Sequence, residues 1–378
     1  MINKKKKQFV LILLSAVLIF RSNEAFASPT FARSDAEWEK LRDNTMEYRE
    51  IEDLIHEYNA TVLNNQVEYS KQRNDPTADD VARSYRDDAD DLRGNITGDD
   101  DLADATAEAQ ARSLEKKADD NVFDLEVLRY SNIQTEKNLV IMAQSNMISY
   151  YKSILNLEDL KQNQKMLTEV LRVTEVQRDI GSSTNVDVLN ARNNLQKTET
   201  AIIQTEATIR KLKQSLCVML GWGYQASPDM SQIPAADPAR ISNMNPDSDY
   251  SKAVDSNYEL KMNQRKLENA VSEVMKDSYR INIKDNKEKI GTDLDKKYRD
   301  VLQAEIVYKE AQSALDEESR KMEIATQKNL LGTIGQLEFL QQQTDYLTKQ
   351  NALKIADMDW FQAMEMYDWS VNGMASVQ

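Results

Sequence analysis

The sequence predicts an all-α protein, or nearly so, built from long antiparallel coiled-coil helical hairpins in two internal repeats. Three observations carry this. Its 378 residues contain nine Gly and six Pro, too few breakers for a chain of short strands and turns, and 29% of them are charged. Apolar positions recur every seven residues over about five heptads. One glycine-containing turn motif occurs twice, 151 residues apart.

The elements follow in order. Lys4 to Lys7, the apolar stretch Phe9–Phe20 and Ala25-Phe26-Ala27 have the layout of a cleavable secretory signal over residues 1–27. Its 12-residue apolar stretch falls short of the ~20 residues a spanning helix needs, which argues against a membrane anchor. Losing residues 1–27 removes five basic groups and one acid and takes the formal charge from −15 to −19. Such a chain repels nucleic acid and anionic surfaces. Cys217 is the single cysteine, so packing rather than an intrachain disulfide must hold the exported fold together.

Residues 28–220 form the first repeat. Residues 38–70 read as one amphipathic helix. Residues 71–121 read as an acidic insertion or partly ordered arm, with Asp pairs at 79–80, 87–88, 90–91 and 119–120 and few apolar residues. A long helical stretch follows over 122–180, with Leu157, Leu160, Leu167 and Leu171 on its seam. After "IGSST", Val188, Leu195, Ile202, Ile209 and Leu216 form one heptad row, and Ala191, Thr198, Thr205, Leu212 and Met219 a second. Residues 221–250 hold four of the six prolines and read as a connector. Residues 251–378 form the second repeat. Within it Tyr279, Ile281 and Ile283 alternate as in a short strand, and Gly291 reads as a break.

The 151-residue shift aligns Gly181 with Gly332, Ser182 with Thr333, Asp187 with Glu338 and Leu189 with Leu340. It also carries the first heptad row onto Phe339, Tyr346, Leu353, Trp360 and Tyr367, which were not used to choose it. A further match, N-x-x-[VL]-x-x-N-Q, pairs residues 59–66 with 257–264. In each repeat a Gly at the helix end reverses the chain at low steric cost. Thr184-x-x-Asp187, and Thr333-x-x-Gln336 in the second copy, then read as capping boxes that restart the helix.

"IGSSTNVDVLNARNNL" and "LGTIGQLEFLQQQTDYL", each followed by some thirty residues of heptads, resemble the TolC family of outer-membrane efflux proteins. The "LCVMLGW" ending of the first repeat and the Pro-rich connector fit the same pattern. The resemblance implies a homotrimer whose helices close into a hollow α-barrel, the exit duct of a tripartite exporter. It implies a membrane-fusion adaptor and an ABC-type or other inner-membrane transporter as partners. It places the adaptor-docking tip at Ile180, Gly181, Ser182 and Ser183 and at Leu331, Gly332, Thr333 and Ile334. It places a constriction just beyond the turns, at Asp187 and Asn190 and at Glu338 and Gln341. It also implies two transmembrane strands in each half. Residues 71–121 are too acidic to face lipid, and residues 278–285 offer one short strand. The β-barrel strands are therefore expected to be absent or much reduced. The expected location is the cell envelope, at the outer membrane or, in a host without one, the cell wall.

No enzyme is expected, since no acid, base and nucleophile converge in the pattern. No cofactor, metal or nucleic-acid partner is expected. His56 is the only histidine, and the Asp clusters lack the spacing of a calcium loop. The alternative class is a non-conducting coiled-coil scaffold of the envelope, which has no need of paired glycine tips.

Overall fold

The computed structural model describes residues 33–41, 43–75, 77–98 and 100–377. The signal sequence expected over 1–27 lies outside them. The chain divides into two units, Met1–Thr45 and Met46–Gln378. In the first, the described element is helix α1 (Asp35–Leu41). The second contains everything that follows.

The expected single helix over 38–70 is broken. Helices α2 (Ile51–Tyr58) and α3 (Ala60–Arg73) meet at Asn59, whose backbone is extended (φ −72°, ψ 124°). The Asn59 side chain accepts the N–H groups of Thr61 and Val62, supplying two of the donors a new helix start leaves open. The same device recurs between α8 (Pro246–Ser256) and α9 (Tyr258–Asn269), where Asn257 accepts the Leu260 N–H at 2.9 Å. The N-x-x-[VL] match is thus a helix-break signal. Its Asn caps, and its aliphatic residue, Val62 or Leu260, is buried.

The acidic segment is ordered as a helical hairpin, α4 (Asp80–Gly94) and α5 (Asp101–Asp120). Its interface is made of small residues. Ala82 and Ala89 on α4, and Ala111 and Ala118 on α5, are buried and spaced seven apart. Arg93 ties the pair by donating to Glu108 at 3.1 Å and Glu115 at 2.6 Å. The hairpin is anchored at its end. The buried Asp119 carboxylate accepts the N–H groups of Val271 and Ser272, capping the long helix that starts at Glu273, where Ser272 itself does not. Asp124 accepts from Arg265 and Asn269, both at 2.7 Å.

Two long hairpins dominate the unit. The first joins α6 (Leu125–Asp179) to α7 (Asn185–Met219), and the second joins α10 (Glu273–Leu330) to α11 (Gln336–Trp369). At 1.5 Å rise per residue, α6 is about 80 Å long and α10 about 87 Å. Every member of the two heptad rows on α7 is buried or half-buried, whereas Ile203, off the rows, is 65% exposed. The aromatic row of α11 is packing material. Trp360 lies 5.2 Å from the Tyr308 ring and Tyr367 lies 6.2 Å from Tyr298, in a core shared with Leu260, Ile290, Leu294 and Val301.

The short strand expected at Tyr279, Ile281 and Ile283 is instead helical, inside α10. Asn286 and Ile290 are buried and Tyr279 and Ile283 half-buried, so the inward positions follow a helical spacing, while Ile281 is 67% exposed. Gly291 does not break the chain. It sits within α10, and a Cβ there would lie 3.4 Å from the Tyr250 ring, so the glycine admits that ring against the helix. Among the described residues the strands are two pairs, Thr45–Met46 and Asp229–Met230.

Candidate functional site

The two turns between the long helices share one hydrogen-bond grammar. In the first, Gly181 has φ +78°, Ser182 N–H donates to the Gln177 carbonyl at 2.8 Å, and Gly181 N–H donates to Arg178 at 2.9 Å. In the second, Gly332 has φ +67°, Thr333 N–H donates to Lys328 at 2.9 Å, and Gly332 N–H donates to Asn329 at 3.1 Å. Both are complete Schellman motifs. The Ser182 and Thr333 hydroxyls add a second bond to those Gln177 and Lys328 carbonyls, at 3.0 and 3.1 Å.

The turns differ on their exit side. Thr184 caps α7 in a reciprocal box. Its hydroxyl accepts the Asp187 N–H at 3.2 Å, and the Asp187 carboxylate accepts the Thr184 N–H at 2.8 Å. The box expected from Thr333 and Gln336 does not form. Thr333 stands at the position of Ser182, its hydroxyl is turned back to Lys328, and the capping position falls on Gly335, which has no side chain to cap with.

The four residues expected at a constriction are exposed. Asp187 is committed to the turn, since its Oδ2 also accepts the Thr184 and Ser183 hydroxyls at 2.7 and 3.1 Å. These bonds, led by Thr184, hold its carboxyl below the usual value of 3.8. Gln341 donates to Asp345 on its own helix at 2.9 Å. Among the described residues no hydrogen bond or ion pair joins Asp187 or Asn190 to Glu338 or Gln341.

A carboxyl with a lowered folded pKa contributes stability above its unfolded pKa and loses it as pH falls through the folded value. The first turn is therefore intact at neutral pH and loosens only below about pH 4. In Asp187→Ala, amide exchange over residues 184–188 will be faster at neutral pH, and lowering the pH will no longer accelerate it beyond the intrinsic rate. Unchanged exchange at neutral pH would remove the cap from the account.

Both turns present apolar side chains to solvent. Ile180 is 74% exposed, Leu330 81% and Leu331 77%, with Val186 and Leu189 also exposed beside the first turn. Leu330 was not picked out by spacing, and its signal was its place two residues before Gly332; Val186 and Leu189 belong to the motif that the 151-residue shift aligns. Helices α6 and α11 run antiparallel, since Ser145 meets Gln362, Lys152 meets Asp359 and Asp159 meets Asn351. Beyond the last contact, α6 runs about 30 Å to its turn and α11 about 24 Å to its own, in the same direction. The two turns thus project on one side of the seam between the hairpins.

The other polar candidates lie within packed regions. His56 Nδ1 is 3.0 Å from Glu136 Oε1, and Cys217 is buried with its thiol pushed up by that burial.

No protein-family model and no curated protein matches the chain. Solved structures do. The CmeC outer membrane channel of Campylobacter jejuni is 11% identical, with a TM-score of 0.52, over 90% of this chain and 88% of that one. The outer membrane protein VceC of Vibrio cholerae is 9% identical at a TM-score of 0.52, over 87% and 97%. A membrane protein of Pseudomonas aeruginosa is 13% identical at 0.52, over 84% and 90%. What is shared at this identity is the fold, and the chain has that of the TolC-type outer-membrane channels.

Proposed function

We propose that this chain is a passive exit duct of a tripartite efflux or secretion system, working as a homotrimer in the cell envelope. A membrane-fusion adaptor docks at its hairpin tips and an inner-membrane transporter supplies the energy. Residues 28–220 and 251–378 are the two copies of a duplicated unit joined by the connector at 221–250. The equivalent Asn59 and Asn257 caps support that division.

The observation that carries the reading is the pair of rigid, glycine-closed turns on one side of the molecule, with Ile180, Leu330 and Leu331 more than 70% exposed. Exposed aliphatic residues at a fixed turn serve a partner's apolar surface rather than the chain's own core. An envelope scaffold would need neither the turns nor their apolar rim. Ile180–Ser183 and Leu331–Ile334 are the docking residues on this reading, and Asn190, Glu338 and Gln341 line the entrance behind them. Asp187 contributes through the turn it caps.

The test uses Gly181→Arg and Gly332→Arg together. No atom lies within 4 Å of a Cβ at either position, so the side chains have room and the cost is confined to the positive φ of the two turns, leaving the long helices in place. The double variant will keep its helix content and oligomer mass by light scattering. A strain lacking the chain will not recover its tolerance to exported toxic compounds when given this variant, although the parent restores it. Full recovery by the variant would refute the tip assignment. A stable monomer that ignores every adaptor would refute the duct.

A further inference from the structure

The seam between the hairpins has one fully buried amide. Asn351 on α11 is 0% exposed. Its Nδ2 donates to Asp159 Oδ1 at 2.8 Å and lies 3.3 Å from both the Leu155 carbonyl and Glu158 Oε2, all on α6. Its Oδ1 is buried with no donor. Three acceptors thus face one amide nitrogen, while the amide oxygen goes unserved. A buried acceptor without a donor is destabilising, so the site is short of a hydrogen.

We propose that Asp159 takes up a proton in the folded chain and then pairs reciprocally with Asn351, so that the seam between the two hairpins closes more tightly as pH falls. The edges of a carboxylic acid and a primary amide are complementary. The acid carbonyl keeps the Asn351 N–H, and the acid O–H donates to Asn351 Oδ1. The proton comes from solvent and no other group changes. Asp159 is half-buried whereas Glu158 is exposed, which selects Asp159 as the site of uptake.

The surroundings agree. Burial raises the Asp159 carboxyl above its usual value of 3.8, the Asn351 bond lowers it, Glu158 beside it raises it, and Lys354 on α11 lowers it, with a net rise. On α7, which also packs against α6, Glu206 is paired with Lys161 at 3.0 Å and Glu199 accepts from Gln164. A carboxyl with a raised folded pKa binds its proton more tightly folded than unfolded. Seam stability therefore grows as pH falls from neutral through the folded value, and the gain is complete once pH falls below 3.8. The inference rests on the fold alone. On the duct reading it makes separation of the hairpins harder in acid, but the experiment below does not depend on export.

Hydrogen exchange of the full chain, corrected for intrinsic rates, reads the seam directly. From neutral pH down to about 3.8, protection of the amides of residues 150–160 and 348–358 will rise. One unit of difference in proton affinity converts to about tenfold in the opening equilibrium. Asp159→Asn presents a permanent N–H to Asn351 Oδ1, so the same amides will be protected at both pH values and the pH response will vanish. Asp357→Asn removes a carboxyl on α11 that burial also raises, and will leave the response in place. Difference infrared spectra of the wild-type chain against Asp159→Asn give a second reading, through a protonated-carboxyl band that grows over the same range and is missing from the variant. Absence of that band overturns the proposal, as does a pH response in Asp159→Asn equal to the parent's.

Discussion

Gly221→Ala and Gly373→Ala will each lower the unfolding free energy by about 2–5 kcal/mol, the largest losses expected from any single methyl added to this chain. Gly221 has φ +86° and Gly373 φ +106°, a region that costs an L-residue about 1–2 kcal/mol. Space is also lacking. A Cβ at Gly221 would fall on the Cβ of Tyr58, and one at Gly373 would lie 2.6 Å from the Ser256 carbonyl oxygen. Neither obstacle is the free end of a side chain, so the backbone must shift, adding about 1–3 kcal/mol. Gly181→Ala and Gly332→Ala are the internal controls. They share the positive φ but meet no atom within 4 Å, and should lose only the conformational part. Urea unfolding followed by circular dichroism separates the two classes. If Gly221→Ala loses no more than Gly181→Ala, the close approach to Tyr58 is absent in solution.

These two glycines also explain a parallel between the halves. Tyr58 and Ser256 each precede a capping asparagine, so the end of the second long helix in each half is pressed against the helix break that opens that half. The asparagines complete the joint. Asn59 Nδ2 donates to the Met219 carbonyl at 2.8 Å, and Asn257 Nδ2 donates to the Ala375 carbonyl at 3.0 Å.

Asn257→Ala will cost about 2–4 kcal/mol, because one truncation removes a helix cap and leaves a buried carbonyl and N–H unserved. Asn257 is 1% exposed, so water cannot take over either bond. Asn257→Asp is the informative companion. It keeps the acceptor for the Leu260 N–H but turns a carboxylate oxygen towards the Ala375 carbonyl. Its loss should be comparable at neutral pH and should shrink in acid, once the carboxyl can donate. An alanine variant as stable as the parent would show that the C-terminal joint does not bear on folding.

The long helices and their two turns were legible because their signals are local. A heptad row fixes which face of a helix is inward, and a Schellman turn needs one residue able to reach positive φ. Gly181 and Gly332 met that need visibly. The acidic hairpin was harder to see, since its interface consists of Ala82, Ala89, Ala111 and Ala118, and alanine contributes little to an apolar pattern. Three alternating residues imitated a strand at Tyr279–Ile283, because so short a run fits either period and only the burial of Asn286 and Ile290 decides for helix. At the turns, the spacing of Thr333 and Gln336 suggested a cap, but the turn geometry had already assigned the Thr333 hydroxyl elsewhere.

By itself the sequence determined the helical class, the inward faces of α7 and α11, and the positions at which the chain reverses. Each follows from residues within a few turns of one another. Only the tertiary structure decided that α6 and α11 form the seam, that Asp119 caps a helix 153 residues later, and that Asn351 reaches Asp159 across 192 residues. Such contacts leave no period in the chain. They arise because a buried polar group must find its partner wherever packing brings one within reach.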